Sequence, residues 1–473
     1  MFKRTFSKIA LILVVVTALL ATVLLAACDQ NAFKPGELPE QAAVEADGNG
    51  GNAVKYGEWL YYVNGYQSSA SAENTYAESY GRVGSIARIK LADLEKLFEV
   101  YEDTTLTSSS AKTKKIAEEL KRAAEVVVPN FYYSGNTTTT ELNGIYIFND
   151  RLYILTPNDA LTAGGNKQTD QAVLTSYALN GSDMRKHYVF TSNAAQIMFN
   201  ELDGKLVATF VMTSGSDTNA ANLDVASGKL TAEVKKISNA KFDVAGKAVF
   251  FTDEDGSICK LTPSMTDKQV IVDNSVEEGE DKSTITYTIT SVNGGTVYYT
   301  MSDSENSEIG GKALYYASEE KTEPTANVAL NGEVPTTYYG YKDTIIFTAS
   351  ETIVEKTLYG IYKTNKDTVI LDPTALNGDK SITFNKLVGD TLYFTRDNVA
   401  YTLDLAAASA EPVPYARSLA SASGWSVPKI IKADDTHNYV ITLSSGSVSV
   451  VKFDTAAKTN SDSVTLTLVA DED

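Results

Sequence analysis

The sequence predicts an all-β fold, a β-propeller of about eight four-stranded blades, and three observations predict it. First, a short apolar strand ending in threonine recurs: Val249-Phe250-Phe251-Thr252, Tyr298-Tyr299-Thr300, Ile346-Phe347-Thr348, Tyr393-Phe394-Thr395 and Val440-Ile441-Thr442. The threonines stand 48, 48, 47 and 47 residues apart. A period of about 40 to 50 residues built from short β runs is the signature of one blade per repeat. Second, a turn position lies six residues before each threonine, at Gly246, Gly294, Lys342, Gly389 and Thr436. Third, the strands are apolar without alternation. Alternation marks a strand wet on one face, whereas a continuous apolar run marks one covered on both, as between neighbouring blades.

The chain begins with Lys3, Arg4 and Lys8, a nearly uninterrupted apolar run from Ile9 to Leu25, and then Leu25-Ala26-Ala27-Cys28. A basic head, an apolar core and small residues before a cut form a secretory signal peptide over residues 1–27. The run of 17 residues is at the low edge for a membrane span. Leu-Ala-Ala-Cys resembles the lipobox of bacterial lipoproteins. That resemblance implies acylation of Cys28, cleavage before it, and a chain held by lipid at the extracytoplasmic face of the cell membrane, with Asp29 matching an inner-membrane retention signal. A diacylglyceryl group supplies the two chains that stable anchoring needs. Losing the leader moves the net charge from −19 to −22. Such acidity argues against nucleic-acid partners. The two cysteines are Cys28 and Cys259, so a lipidated Cys28 leaves no internal disulfide. Cys259 reads as a small buried residue of a strand.

Residues 28–52 read as a flexible linker, with Pro35, Gly36, Pro39 and the run Asp47-Gly48-Asn49-Gly50-Gly51-Asn52. A single propeller domain is expected over 53–473. Its first strand pair is Ala53–Tyr56 and Trp59–Val63 around the turn Gly57-Glu58. Further units fall at Asp150–Thr156 and Gly204–Phe210 before the five already named, giving eight in all, or seven blades if one unit is split to close the ring. Third strands are expected at Ser257–Leu261, Ala313–Ala317, Leu358–Lys363 and Val399–Leu405. Between the first two units lies room for two periods. Thr113–Glu125 there has Ile116, Leu120 and Ala124 on one face with no Gly or Pro. We therefore expect a short helical insertion near 109–126, in or after blade 1, in place of a ninth blade.

The run Phe250-Phe251-Thr252-Asp253-Glu254-Asp255-Gly256-Ser257-Ile258-Cys259-Lys260-Leu261 resembles the YWTD-type propeller repeat. Only this unit carries the Asp. The resemblance implies the architecture over about residues 53–470 and no one function, because such propellers serve as receptors, scaffolds and enzyme subunits.

The motifs reach architecture and cellular address but name no specific activity. His187 and His437 are the two histidines, and neither has a His or Cys at metal-ligand spacing. No Gly-x-Ser-x-Gly elbow supports a serine nucleophile. Ser109-Ser110-Ala111-Lys112 matches Ser-x-x-Lys, but a capping serine at a helix start explains it better. Asp253-Glu254-Asp255-Gly256 clusters carboxylates; calcium is the cofactor that would suit them, yet they supply too few ligands and Asp-Gly between strands makes a hairpin. Ser302–Glu308 reads as a solvated acidic loop. The candidate binding residues are Tyr66, Tyr76 and Tyr80 in the long Asn64–Gly84 loop, where tyrosines stand among small polar residues. Phe131-Tyr132-Tyr133 is a second candidate. The expected function is binding or scaffolding of a protein, peptide or glycan partner. The rivals are a hydrolase or lyase with carboxylates at the central channel, and a structural platform.

Overall fold

The computed structural model describes residues 35–39, 46–65, 84–128, 142–158, 171–192, 195–275, 283–306, 314–326, 337–363, 368–407, 411–417, 428–444 and 447–468. They form eight antiparallel sheets, each made of strands consecutive in sequence. Blade 1 is Ala53–Tyr56, Trp59–Asn64, Ser85–Lys90 and Ala124–Val128. Blade 2 is Tyr146–Phe148, Arg151–Pro157, Ala172–Ala178 and Arg185–Val189. Blade 3 is Ala195–Leu202, Lys205–Ser214, Asp217–Asp224 and Lys229–Val234. Blade 4 is Ser238–Asp243, Ala248–Thr252, Ile258–Leu261 and Gln269–Val272, and blade 5 is Ile285–Asn293, Thr296–Asp303, Leu314–Ser318 and Lys321–Ala326. Blade 6 is Tyr338–Tyr341, Thr344–Ile353, Lys356–Lys363 and Thr368–Leu371, and blade 7 is Ile382–Val388, Thr391–Arg396, Val399–Asp404 and Val413–Arg417. Blade 8 is Lys429–Lys432, His437–Ser444 and Ser447–Asp454, with both Thr459–Asn460 and Val464–Thr465 beside its third strand. All eight expected apolar strands are the second strands of blades, and no blade is split.

Blade 4 shows why those strands do not alternate. Phe250 and Ile258 pack against Tyr287, Ile289 and Tyr299 of blade 5. Their neighbours Val249, Phe251 and Cys259 point the other way, onto Val211, Ala220 and Val234 of blade 3. Both faces are dry, so each such side chain contributes about 1.5–3 kcal/mol by leaving water. First strands of adjacent blades approach one another, as in blades 4 and 5 or 8 and 1, which places them innermost.

The expected helical insertion is two helices, α1 (Leu91–Glu102) and α2 (Ser109–Ala123), joining the third and fourth strands of blade 1. Ser108, one residue earlier than expected, caps α2 by accepting the Ala111 N–H. The helix stops at Ala123 because Ala124 and Glu125 pair with Ile89 and Arg88 in the sheet. The pair of helices lies on the seam where the ring closes. Leu94, Leu97, Ile116 and Leu120 share one core with blades 1 and 8. Glu95 accepts from Tyr439 and Lys452 of blade 8. Among the described residues closure uses no exchanged strand; instead Asn64 donates to the Leu468 carbonyl (2.9 Å) and accepts from its N–H (2.8 Å).

Residues 46–52, expected as linker, are part of the ring. Asp47 pairs with Lys55, Gly51 pairs with Ile145, and Asn49 exchanges two hydrogen bonds with Ile147. Glycine is required here: a Cβ on Gly144 would lie 2.2 Å from the Gly50 carbonyl oxygen.

Candidate functional site

Antiparallel blades send their connections to two faces. Links between first and second strands, and between third and fourth, share what we call the lower face. Links between second and third strands share the upper face. The N-terminal segment reaches the ring on the lower side. The buried Arg88 guanidinium, stacked 4.0 Å over the Trp59 ring, binds the Glu37 carbonyl, and Asn180 binds the Gly36 carbonyl.

At the lower end of the axis, turns from several blades knit together. The Asp243 carboxylate, 2% exposed, accepts N–H bonds from Gly246, Gly294 and Gly295 at 2.7 to 3.1 Å. Asn293 of blade 5 exchanges two hydrogen bonds with Gly389 of blade 7. Beside them lies a cavity of about 370 Å³ walled by first strands of blades 2, 3 and 8, the blade 4 turn, and residues 47–50. Its titratable lining among the described residues is Asp47, Tyr146, Lys247 and Lys429. That set holds one carboxylate, so the paired acids of the enzyme reading do not meet there.

The upper face carries a different feature. Second and third strands of blade 6 run out as a long hairpin, Thr344–Ile353 and Lys356–Lys363. Val354 and Glu355 at its tip have φ of 49° and 66°. Two successive positive φ values are the twist-matched hairpin geometry, which Asn, Asp and Gly tolerate and β-branched residues resist. The corresponding hairpin pairs elsewhere are Asn149-Asp150, Asp203-Gly204, Gly294-Gly295 and Asp397-Asn398. Val354 is nonetheless 89% exposed, beside the partly exposed Ile353. Backbone strain at a side chain presented to water makes Val354 a candidate functional position.

Of the binding candidates, Tyr66, Tyr76 and Tyr80 lie outside the described residues, as do Phe131, Tyr132, Tyr133 and the lipid-attachment candidate Cys28. The roots of the tyrosine loop, Asn64 and Ser85, are hydrogen-bonded to one another at the upper end of blade 1. The acidic run of blade 4 is a turn. Asp253 accepts from the Asp255 and Ser257 N–H groups, from Lys268 and from the Cys259 thiol. Burial works to raise its pKa, but the Lys268 and Cys259 bonds outweigh it and hold the carboxyl below its ordinary range. Burial, with the bond to Asp253, pushes the Cys259 thiol well up, so it is an inert packing residue.

Sequence spacing gave no sign of one constellation. His187 Nε2 lies 2.7 Å from Ser176 Oγ, while His187 Nδ1 donates to the Val225 carbonyl and Arg151 donates to Ser176. This has the outline of an activated serine. Ser176 is 0% exposed, however, so no substrate reaches the hydroxyl. His437 sits at a turn against Asp434, and Lys112 reaches the Tyr101 carbonyl, away from any Ser-Lys pairing.

No family model matches this chain, and no curated protein matches it. Solved structures similar to it include the Dos1 propeller, 10% identical, covering 88% of this chain and 94% of that one at a TM-score of 0.37. BamB from Moraxella catarrhalis is 12% identical, with 66% and 86% covered and a TM-score of 0.30. A chain of the nidogen/laminin complex is 13% identical, with 57% and 92% covered and a TM-score of 0.23. Likeness at this level carries no functional argument, and the propeller assignment stands on the strand pairing itself.

Proposed function

We propose that this chain is a lipid-anchored, extracytoplasmic propeller that binds a protein or peptide partner through its upper face. The observation that carries the reading is Val354, a β-branched side chain held in a strained turn and presented to solvent. An aliphatic tip fits an apolar groove of a protein better than it fits a glycan, which stacks on aromatic rings. Covalent geometry supports the orientation. With a lipid on Cys28, the seven-residue step to Pro35 spans at most about 25 Å. Residues 36 and 37 join the lower face, so that face is held toward the bilayer and the upper face points away from it.

Two measurements test this. Metabolic labelling with radioactive palmitate labels the wild type and not Cys28→Ala, which leaves the membrane fraction; equal labelling of both removes the anchor. Val354→Asp, carried on an intact anchor, loses the partner recovered with the wild type from detergent-solubilised envelopes. Recovery unchanged by that variant sinks the upper-face assignment.

A further inference from the structure

We infer that the cavity at the lower end of the axis is a binding site for a small organic anion, a carboxylate joined to a flat apolar body. Asn200 is a buried donor of this cavity. It lines the cavity and is 5% exposed, and its Nδ2 has no hydrogen-bond partner among the described residues. A buried amide donor left unpaired costs about 1–3 kcal/mol, and a ligand oxygen would recover it. The charges around it have the complementary sign. Lys247 and Lys429 line the same space from blades 4 and 8, in a protein whose net charge is −19. The single lining carboxylate, Asp47, already accepts from the Lys432 N–H at 3.2 Å.

The two lysines reach the cavity from different backbone settings. Lys247 has φ of 48°, a left-handed conformation unfavourable for a side chain of its kind. The stem of Lys429 lies along glycines: a Cβ on Gly48 would come within 2.9 Å of its Cε, and one on Gly51 within 2.8 Å of its Cδ. The lining also holds two aromatic rings. Tyr146 and Phe199 lie tilted against one another by 34°, with ring centroids 4.9 Å apart, and the Tyr146 hydroxyl is engaged with Glu201. Donors and rings lining one space select an acceptor-rich head on a flat body, and the volume suits one small molecule. The inference does not depend on the upper-face partner, since the two sites lie on opposite faces.

The test is isothermal titration of the full-length chain in mild detergent with phenylacetate and benzoate, each against its neutral counterpart, phenylacetamide or benzamide, and with inorganic phosphate. At least one carboxylate binds saturably with one site, at least tenfold more tightly than its neutral counterpart and than phosphate. Lys247→Gln, a substitution at an exposed turn, weakens it at least fivefold. Lys429→Met keeps the stem on Gly48 and Gly51 and does the same, whereas Lys205→Gln, outside the cavity, changes nothing. The inference is overturned if no carboxylate binds, if the neutral compound or phosphate binds equally, or if binding survives both cavity variants.

Discussion

Tyr299 stands in the second strand of blade 5, fully buried between Tyr287 and Tyr315, and its hydroxyl has no hydrogen-bond partner among the described residues. Tyr299→Phe removes an unsatisfied polar atom and keeps the ring. It should therefore raise unfolding stability by about 1 kcal/mol in urea titration, and a loss of that size would show that the hydroxyl is satisfied. Arg396 behaves in the opposite sense. It is 1% exposed and donates to three backbone carbonyls, those of Lys380, Ala375 and Tyr359. Arg396→Met strands these carbonyls and should cost roughly 3 kcal/mol. Titration adds a third residue-scale expectation. Burial depresses the His187 pKa below its ordinary 6.5, with Arg151 and Arg185 adding to the effect. The unfolded chain then binds the proton more readily, so this contribution is fully present above pH 6.5 and is lost as pH falls below it toward the folded value. Stability measured from pH 7.5 to 5 should fall in that window, and His187→Gln should flatten the slope. The strand holding Tyr299 was legible from its repeat. The Ser176–His187 contact was not, because it joins two strands through a register shift at Leu174/Thr175 that pattern does not disclose.

The elements divide the same way. Second strands read clearly because packing on both faces leaves a continuous apolar run behind a turn, as at Leu392-Tyr393-Phe394. Helix α2 was legible through Ile116 and Leu120. Helix α1 carries an equally good signal, with Leu91, Leu94, Leu97, Phe98 and Tyr101 at helical spacing. What pattern could not show is where the helices dock. Phe98 stacks on Tyr439 at 6.4 Å, Tyr101 donates to the Ser463 carbonyl, and the pair thereby clasps blade 1 to blade 8. Leu94→Ala should cost about 3 kcal/mol and should speed proteolysis at the seam before other blades are cut; uniform cleavage around the ring would contradict the clasp. The blade 6 hairpin makes a second element-scale prediction. Val354→Gly relieves the left-handed strain and should raise stability by about 1 kcal/mol, yet it should weaken partner binding. A variant that is both more stable and equally competent in binding would show that the tip is not used.

At the scale of the whole molecule, eight blades close through side chains and the segment carrying Leu466 and Leu468, both buried at the seam. Period and turn spacing made the blade number readable. The axial cavity was invisible to the same reading, because it gathers residues 47–50, Tyr146, Met198 to Asn200, the blade 4 turn and Lys429 from five separated stretches, none of them a motif. The two faces differ in kind: the lower is threaded by the chain's own N-terminal segment, while the upper bears the strained apolar tip and the roots of the tyrosine-rich loop. The most direct test of that polarity is photo-crosslinking in intact cells, with a photoreactive residue at position 354 on the upper face or at position 205 on the lower. A discrete adduct is expected from 354, competed by excess wild-type chain, and none from 205. Adducts of the same pattern from both positions, or from 205 alone, would contradict that polarity.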